Sequence, residues 1–165
     1  KAHGGSKNAA RTSKSGIRTT SGLGGFFSGV ASEGIRQVLV DRGIDFEGKS
    51  VKDILHSIIN SIAPIPVSRE DSIARKALIE TMELLYESFD KEDKDITAFD
   101  KVDSETLNFI IPKYIEQYIY ERLINDLGSR IETYSSSSSD VVRKEKEIKD
   151  YINAQVDVTL SKTDF

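Results

Sequence analysis

Residues 43–62 read "GIDFEGKSVKDILHSIINSI", and this stretch decides the fold class. Its first eight residues, Gly43 to Ser50, match the phosphate-loop pattern G-x-x-x-x-G-K-[ST] at every position. The residues that follow repeat aliphatic side chains at helical spacing. A true phosphate loop joins a strand to a helix inside a parallel sheet, and it would predict an α/β nucleotide-binding protein. If the stretch is not a phosphate loop, the same residues join two helices of an all-α protein.

The side chains inside the motif disfavour a phosphate site. Asp45 and Glu47 would place two negative charges beside a polyphosphate, and Ile44 and Phe46 would crowd its approach. No later strand that ends in an acid is predicted, so magnesium has no predicted ligand. No further strands are predicted that would complete a sheet. We therefore interpret the motif as a connector between two helices.

The connector interpretation gives the remaining motif residues ordinary local roles. Gly43 fits the left-handed position that ends a helix. Ser50 fits the N-cap of the next helix, with Asp53 where a capping-box acid lies, and Pro64 stops that helix. Lys49 is expected to be solvated. A nucleotide-hydrolysing activity rests on this motif alone.

On both sides of this stretch, apolar spacing predicts further helices. The predicted helices cover residues 21–42, 51–62, 69–89, 104–134 and 140–159. Pro112 is expected to kink the fourth or to mark a joint between two helices. The serine run 135–139 is expected to be a flexible connector, after which Asp140 caps the last helix. We predict an all-α fold, a single bundle-like domain of about five helices over residues 21–165.

Residues 1–20 differ from the rest of the chain in composition and charge. They are rich in Gly, Ser and Thr, with Ile17 as their one large aliphatic residue, so they bury too little apolar surface to offset the entropy of ordering. They contain no acid and five basic residues: Lys1, Lys7, Arg11, Lys14 and Arg18. The whole chain carries −4, so the remaining residues carry −9. We predict a flexible basic arm that becomes ordered when it docks on an acidic protein or on nucleic acid, with an ordinary solvated arm as the alternative.

The overall composition excludes several classes of protein. The chain of 165 residues suits one domain. It has no cysteine, which excludes disulfides, zinc–thiolate sites and a thiol nucleophile. It has no run of 18 apolar residues and no signal peptide, so we expect no membrane span and a cytoplasmic location. It begins at Lys1 rather than Met, so we expect its natural first residues to be missing from the sequence.

Several other patterns fail as functional sites. "GLGGFF" has Phe27 where a dinucleotide-binding motif needs its third glycine. The acidic loop has Asp95 where an EF-hand needs Gly and Lys101 where it needs Glu. His3 and His56 lack companion ligands, and no serine lies in a nucleophile-elbow context. We predict no catalytic residue, no metal site and no cofactor, and therefore a protein that is not an enzyme.

The polar residues of the long fourth helix have a predicted structural role. In "YERLINDLGSRIE", Arg122 and Asp126 are four residues apart, which is within reach of an ion pair. Gly128 lowers helix stability, so it is expected to admit a neighbouring helix closely. A local surface ion pair and a tolerated glycine are the alternative.

These residues also carry a resemblance to a known family. "LNFIIPKYIEQYIYERLINDLGSRIE" (107–132), followed by "KEKEIKDYI" (144–152), resembles the C-terminal signature of the QatB family. "RGIDFEGKSVKDILHSIINSIAPI" (42–65) is similar to the glycine, loop, serine-capped helix and proline layout of the same family. The resemblance extends over roughly residues 16–152 and includes no catalytic motif.

The resemblance implies a non-enzymatic component of the Qat (QatABCD) bacterial anti-phage defence system. The family acts beside an ATPase, a TatD-like nuclease and QatC, a QueC-like enzyme. The resemblance implies that the chain binds QatC and presents its N-terminal tail for modification with a deazaguanine. Family tails have glycine after the initiator Met, whereas this sequence begins at Lys1, so no modified residue is assigned on it.

We place the expected partner contacts at the basic arm and on the glycine-rich helix after it. The residues are Arg11, Lys14, Arg18, Phe26 and Phe27. The physical reason is that the arm gains order only by docking. The alternative function is a nucleic-acid-binding helical module whose arm neutralises phosphates.

Overall fold

The described part of the chain has an all-α fold. The computed structural model describes residues 13–89, 96–101, 103–161 and 163. Its helices are α1 (Lys14–Glu33), α2 (Ile35–Asp41), α3 (Val51–Ile62), α4 (Arg69–Ser88), a 3-10 helix (Ile96–Lys101), α5 (Ser104–Thr133) and α6 (Ser138–Leu160). No strand occurs among these residues. The all-α prediction is confirmed, with six α-helices where about five were expected.

Side-chain caps set where the helices begin. The Ser50 hydroxyl accepts from the Asp53 N–H at the start of α3, and Ser68 accepts from the Asp71 N–H at the start of α4. These oxygens satisfy N–H groups that the first turn of a helix leaves without a partner. The last helix begins earlier than predicted. Ser137 is its N-cap and accepts from the Asp140 N–H, so Asp140 lies in the first turn and is not the cap.

The predicted helix over residues 21–42 is divided at Gly34. Gly34 has a φ of 81°, a left-handed conformation that glycine adopts without strain, and it separates α1 from α2. The N–H of Ile35 donates to Asp100 Oδ1 at 2.7 Å, so the 3-10 helix caps the start of α2. Gly43 follows α2 with a φ of 64°, as expected for a helix-ending glycine.

The core lies where α1, α4 and α5 pack together, with α3 against α4. Phe26 and Phe27 of α1 are both completely buried, and their rings meet edge to face at 5.1 Å. We expected these two rings to contact a partner, but their side chains do not reach the surface of this fold. Their burial is the ordinary outcome for large aromatic residues on the apolar face of a helix.

The long helix α5 is continuous. It runs through Pro112 without a joint, because residues 104–133 form one helix. Gly128 does not admit a neighbouring helix. A Cβ at this position would meet, within 4 Å, only Ile124 Cγ2 of its own helix among the described atoms. The helix instead contacts α1, α4 and α6, and its contacts with α4 extend into its second half at Glu121 and Asn125.

The helical body begins earlier than the predicted boundary at residue 20. Residues 14–20 form the first two turns of α1, and Ser15, Gly16 and Thr19 are buried there. They belong to the body and not to a flexible arm. No described helix is long and apolar enough to cross a membrane.

Candidate functional site at the start of the first helix

The phosphate-loop motif forms a connector between two helices. The residues before it, 35–41, form the helix α2 and not a strand. Lys49 Nζ pairs with Asp45 Oδ2 of the same loop at 3.1 Å, so the lysine is ion-paired although we expected it to be solvated. Ser50 Oγ lies 2.6 Å from Asp53 Oδ2 and also receives the Asp53 N–H. These contacts occupy the groups that a phosphate would need.

The three expected basic contact residues fall in different places. Arg11 lies outside the described residues. Lys14 is exposed on the first turn of α1. Arg18 is exposed as well, and its Nη2 lies 2.9 Å from Asp71 Oδ1. Because Asp71 belongs to α4, Arg18 connects the first helix to the body.

The first turn of α1 is held from one side by the first turn of α4. The N–H of Ser15 donates to Glu70 Oε1 at 3.0 Å, and the Ser15 hydroxyl donates to Asp71 Oδ1 at 2.6 Å. Ser68 Oγ donates to the other oxygen, Asp71 Oδ2, at 2.7 Å. These hydrogen bonds, chiefly from Ser15 and Ser68, lower the pKa of Asp71 to about 2. The carboxylate is therefore ionised when it holds α1.

Tyr118 and Arg122 of α5 hold the same turn from the other side. The Tyr118 hydroxyl donates to Glu70 Oε1 at 3.0 Å, the oxygen that also receives the Ser15 N–H. Arg122 Nη1 donates to the Tyr118 hydroxyl at 3.2 Å and to Ser13 Oγ. The predicted Arg122–Asp126 pair does not occur among the ion pairs of the described residues, because the guanidinium points towards Ser13 instead. We call Ser13, Ser15, Glu70, Asp71, Tyr118 and Arg122 the anchor.

Packing of a ring on a glycine completes the anchor. A Cβ at Gly16 would lie 2.4 Å from Tyr118 Cζ and 2.6 Å from its Cε1. Only glycine therefore lets α1 approach α5 this closely. The Tyr114 hydroxyl lies 3.5 Å from the Gly16 carbonyl oxygen, and burial raises the pKa of Tyr114 and of Tyr118. Both phenols are neutral donors at physiological pH.

The polar groups of the anchor are arranged to fix the first turn of α1. Its carboxylates receive hydrogen bonds from Ser15 and Tyr118, Asp71 also pairs with Arg18 of α1, and the Arg122 guanidinium donates to the hydroxyls of Ser13 and Tyr118. Among the described residues, no group of three or more His, Asp or Glu side chains is arranged to hold a metal ion. The anchor fixes Ser13, and so it fixes the point at which residues 1–12 join the body.

Local sequence patterns make some residues of the anchor recognisable but do not predict that these residues come together. Glu70 and Asp71 are recognisable as first-turn acids, and Tyr118 as a residue of the apolar face of α5. Their contacts with Ser15 span about fifty residues of sequence, which no local pattern encodes. The one available signal was Gly16, since a glycine among polar residues is typical of close approach as well as of flexibility.

The fold and the anchor together define a class: an all-α protein that fixes the base of its own basic N-terminal segment. The chain belongs to the QatB family, because the family model described as "Qat anti-phage system associated protein QatB" matches residues 4–165. It is therefore a component of the Qat anti-phage system, and its partners lie within that multi-protein system.

The other two comparisons add no relative. No curated protein matches the sequence, and no solved structure matches it.

Proposed function

We propose that the chain is a non-enzymatic adaptor of the Qat system that binds the QueC-like protein QatC through residues 1–18. In this proposal the helical body holds the base of the N-terminal segment, residues 1–12, and offers that segment to QatC in the cytoplasm. The Qat ATPase and the TatD-like nuclease are the further candidate partners. Family membership supports a role within this system.

The observation that carries the proposal is the fixed position of Ser13. Arg122 donates to Ser13 Oγ, and Ser15 is bound through both its N–H and its hydroxyl. A segment whose base is immobile loses less entropy on binding than one that is free at both ends. The anchor therefore favours presentation of the N-terminal segment to a partner.

The charges support an acidic protein surface as the binding counterpart. Lys1, Lys7 and Arg11 precede the anchor, and Lys14 is exposed beside it. Nucleic acid is the competing counterpart. We expect a salt titration to find no salt-sensitive DNA affinity near physiological ionic strength, and a steep salt dependence would favour the nucleic-acid module.

The finer part of the proposal is that QatC modifies the N-terminus with a deazaguanine. QueC enzymes use ATP to make a deazaguanine nitrile. In the proposed step a deazaguanine carboxyl group, activated by ATP as an acyl adenylate, is attacked by the N-terminal amine, which forms an amide bond, loses a proton and releases AMP. The body would then supply position only, which agrees with an anchor whose polar groups are already matched to each other.

Combined replacement of Arg11, Lys14 and Arg18 by alanine tests the proposal. We expect the triple variant to lose QatC in a pull-down and to lose protection against phage. Asp71→Asn separates anchoring from direct contact, because it removes the negative charge that pairs with Arg18 but keeps all three basic residues. Unchanged pull-down and unchanged protection by the triple variant would overturn the role of the basic residues.

A further inference from the structure

We infer that the turn of residues 64–67, "PIPV", is a second contact surface for the same protein that binds the N-terminal segment. This inference rests on the proposed function and adds the part of the body that the partner covers. We call residues 64–67 the proline turn. It joins α3 to α4 and lies beside the anchor.

The proline turn exposes two aliphatic side chains almost completely. Ile65 is 82% exposed and Val67 is 94% exposed, which makes them the most exposed large apolar side chains of the described residues. Single exposed aliphatic side chains are common on protein surfaces, whereas a contiguous exposed apolar patch marks an interaction site, and Ile65 and Val67 lie only two residues apart in one short turn. The pair therefore forms the apolar part of the proposed contact surface.

The proline turn is held rigidly at both ends. Arg75 Nη1 donates to the carbonyl oxygen of Ala63 just before it, and Ser68 caps α4 just after it. Pro64 and Pro66 fix their own φ angles inside it. The backbone that carries Ile65 and Val67 thus has little conformational freedom left to lose on binding.

Asp71 connects the proline turn to the anchor. Its carboxylate receives Ser15 Oγ and Arg18 Nη2 from α1, and Ser68 Oγ from the residue that follows the turn. The backbone N–H of Val67 also contributes to lowering the pKa of Asp71. Val67 and the exposed guanidinium of Arg18 therefore both lie near the carboxylate of Asp71.

The chain connection between the N-terminal segment and the anchor supports one occupant for this surface. A protein that binds the N-terminal segment close to its base also lies beside the surface around Ser13. That surface includes Lys14, Ile17 and Arg18 of α1, all of them exposed.

The area that a stable interface buries also supports a protein as the occupant of this surface. A stable interface buries about 800 Å² on each partner, which a few basic side chains do not supply. The neighbouring proline turn supplies the missing apolar part. The occupant is therefore a protein whose contact face combines acidic residues for Lys14 and Arg18 with an apolar patch for Ile65 and Val67.

The test replaces the exposed pair and a matched pair elsewhere. Ile65→Asp with Val67→Asp changes the proline turn, and Val142→Asp with Val158→Asp changes two exposed valines of α6. Titration calorimetry measures the affinity of each variant for purified QatC, and circular dichroism confirms the fold. We expect the turn variant to bind about tenfold or more weakly and the α6 variant to bind like the unmodified chain. A milder pair, Ile65→Ala with Val67→Ala, is measured in case the aspartates unfold the protein.

The outcomes distinguish this inference from the proposed function. If alanine at Arg11, Lys14 and Arg18 weakens binding but neither turn variant does, the inference fails and the proposed function stands. If none of these variants weakens binding, both fail. Loss of a dimer in light scattering, with unchanged affinity for QatC, would assign the proline turn to self-association and overturn the inference.

Discussion

Gly16 of α1 lies against the ring of Tyr118 of α5 so closely that a Cβ at Gly16 would be 2.4 Å from Tyr118 Cζ. The same tyrosine donates its hydroxyl to Glu70, which also binds the N–H of Ser15. Ring and hydroxyl together fix the first turn of α1. This relationship makes the base of the N-terminal segment part of the folded body.

Gly16→Ala should destabilise the protein. The added methyl group overlaps the Tyr118 ring, which is buried and has little room to move, so we expect a loss of about 1–3 kcal/mol of unfolding free energy. Gly25→Ala is the matched control in the same helix, because a Cβ there meets nothing within 4 Å. It should gain up to ~1 kcal/mol from helix propensity. Urea unfolding measures both, and equal stability of the two variants would contradict the close packing of Gly16 on Tyr118.

Tyr118→Phe should loosen the start of α1 while the core stays folded. It removes a hydroxyl that donates to Glu70 and accepts from Arg122, at a cost of about 1–2 kcal/mol. Hydrogen exchange should become faster at the backbone amides of residues 14–20 and stay unchanged in α3. Tyr151→Phe is the control, because Tyr151 is 66% exposed. Unchanged exchange in residues 14–20 would show that the hydroxyl does not hold α1.

Asp71 should make stability depend on pH in the acid range. Its pKa is about 2 in the folded protein and near 3.9 when unfolded, so the unfolded state binds more protons between these values. The contribution is fully present above about pH 4 and is lost as the pH falls towards 2. The stability difference between the unmodified chain and Asp71→Asn should therefore shrink as the pH falls from 7 to 3. A difference that does not change with pH would contradict the lowered pKa.

Ser50→Ala and Lys49→Ala separate the connector from a nucleotide site. Ser50→Ala removes the N-cap of α3 and should cost about 1 kcal/mol in thermal or urea unfolding. Lys49→Ala should have little effect, because a surface ion pair such as that with Asp45 stabilises by at most about 1 kcal/mol. Calorimetry with ATP should find no binding in either variant or in the unmodified chain. ATP binding that disappears in Lys49→Ala would restore the phosphate-loop hypothesis.

The features that sequence predicted correctly are those set by neighbouring residues. Ser50 caps α3 through an N–H group only three residues away, so the signal lies within one turn. The end of α2 at Gly43 is equally local, since a left-handed residue after a helix favours glycine. The all-α fold follows from apolar spacing along each helix.

The features that sequence did not predict depend on residues far apart in the chain. The break at Gly34 is stabilised by Asp100, which accepts the Ile35 N–H from 65 residues away. The early start of α1 depends on polar contacts of Ser15 with α4 and on the ring of Tyr118, whereas apolar spacing detects only buried aliphatic stripes. From sequence alone, polar residues that are buried through hydrogen bonds cannot be distinguished from polar residues of a solvated arm, because their partners are distant in the chain.

The intact mass of the natural full-length chain, coexpressed with QatC, tests the central claim of presentation most directly. The account predicts added mass of a deazaguanine-type group, mapped by fragmentation to the N-terminal peptide. It predicts no added mass without QatC, and less in Gly16→Ala than in Gly25→Ala, because only the former disturbs the anchor. An identical, unmodified mass with and without QatC would contradict the claim that the anchor presents this segment for modification.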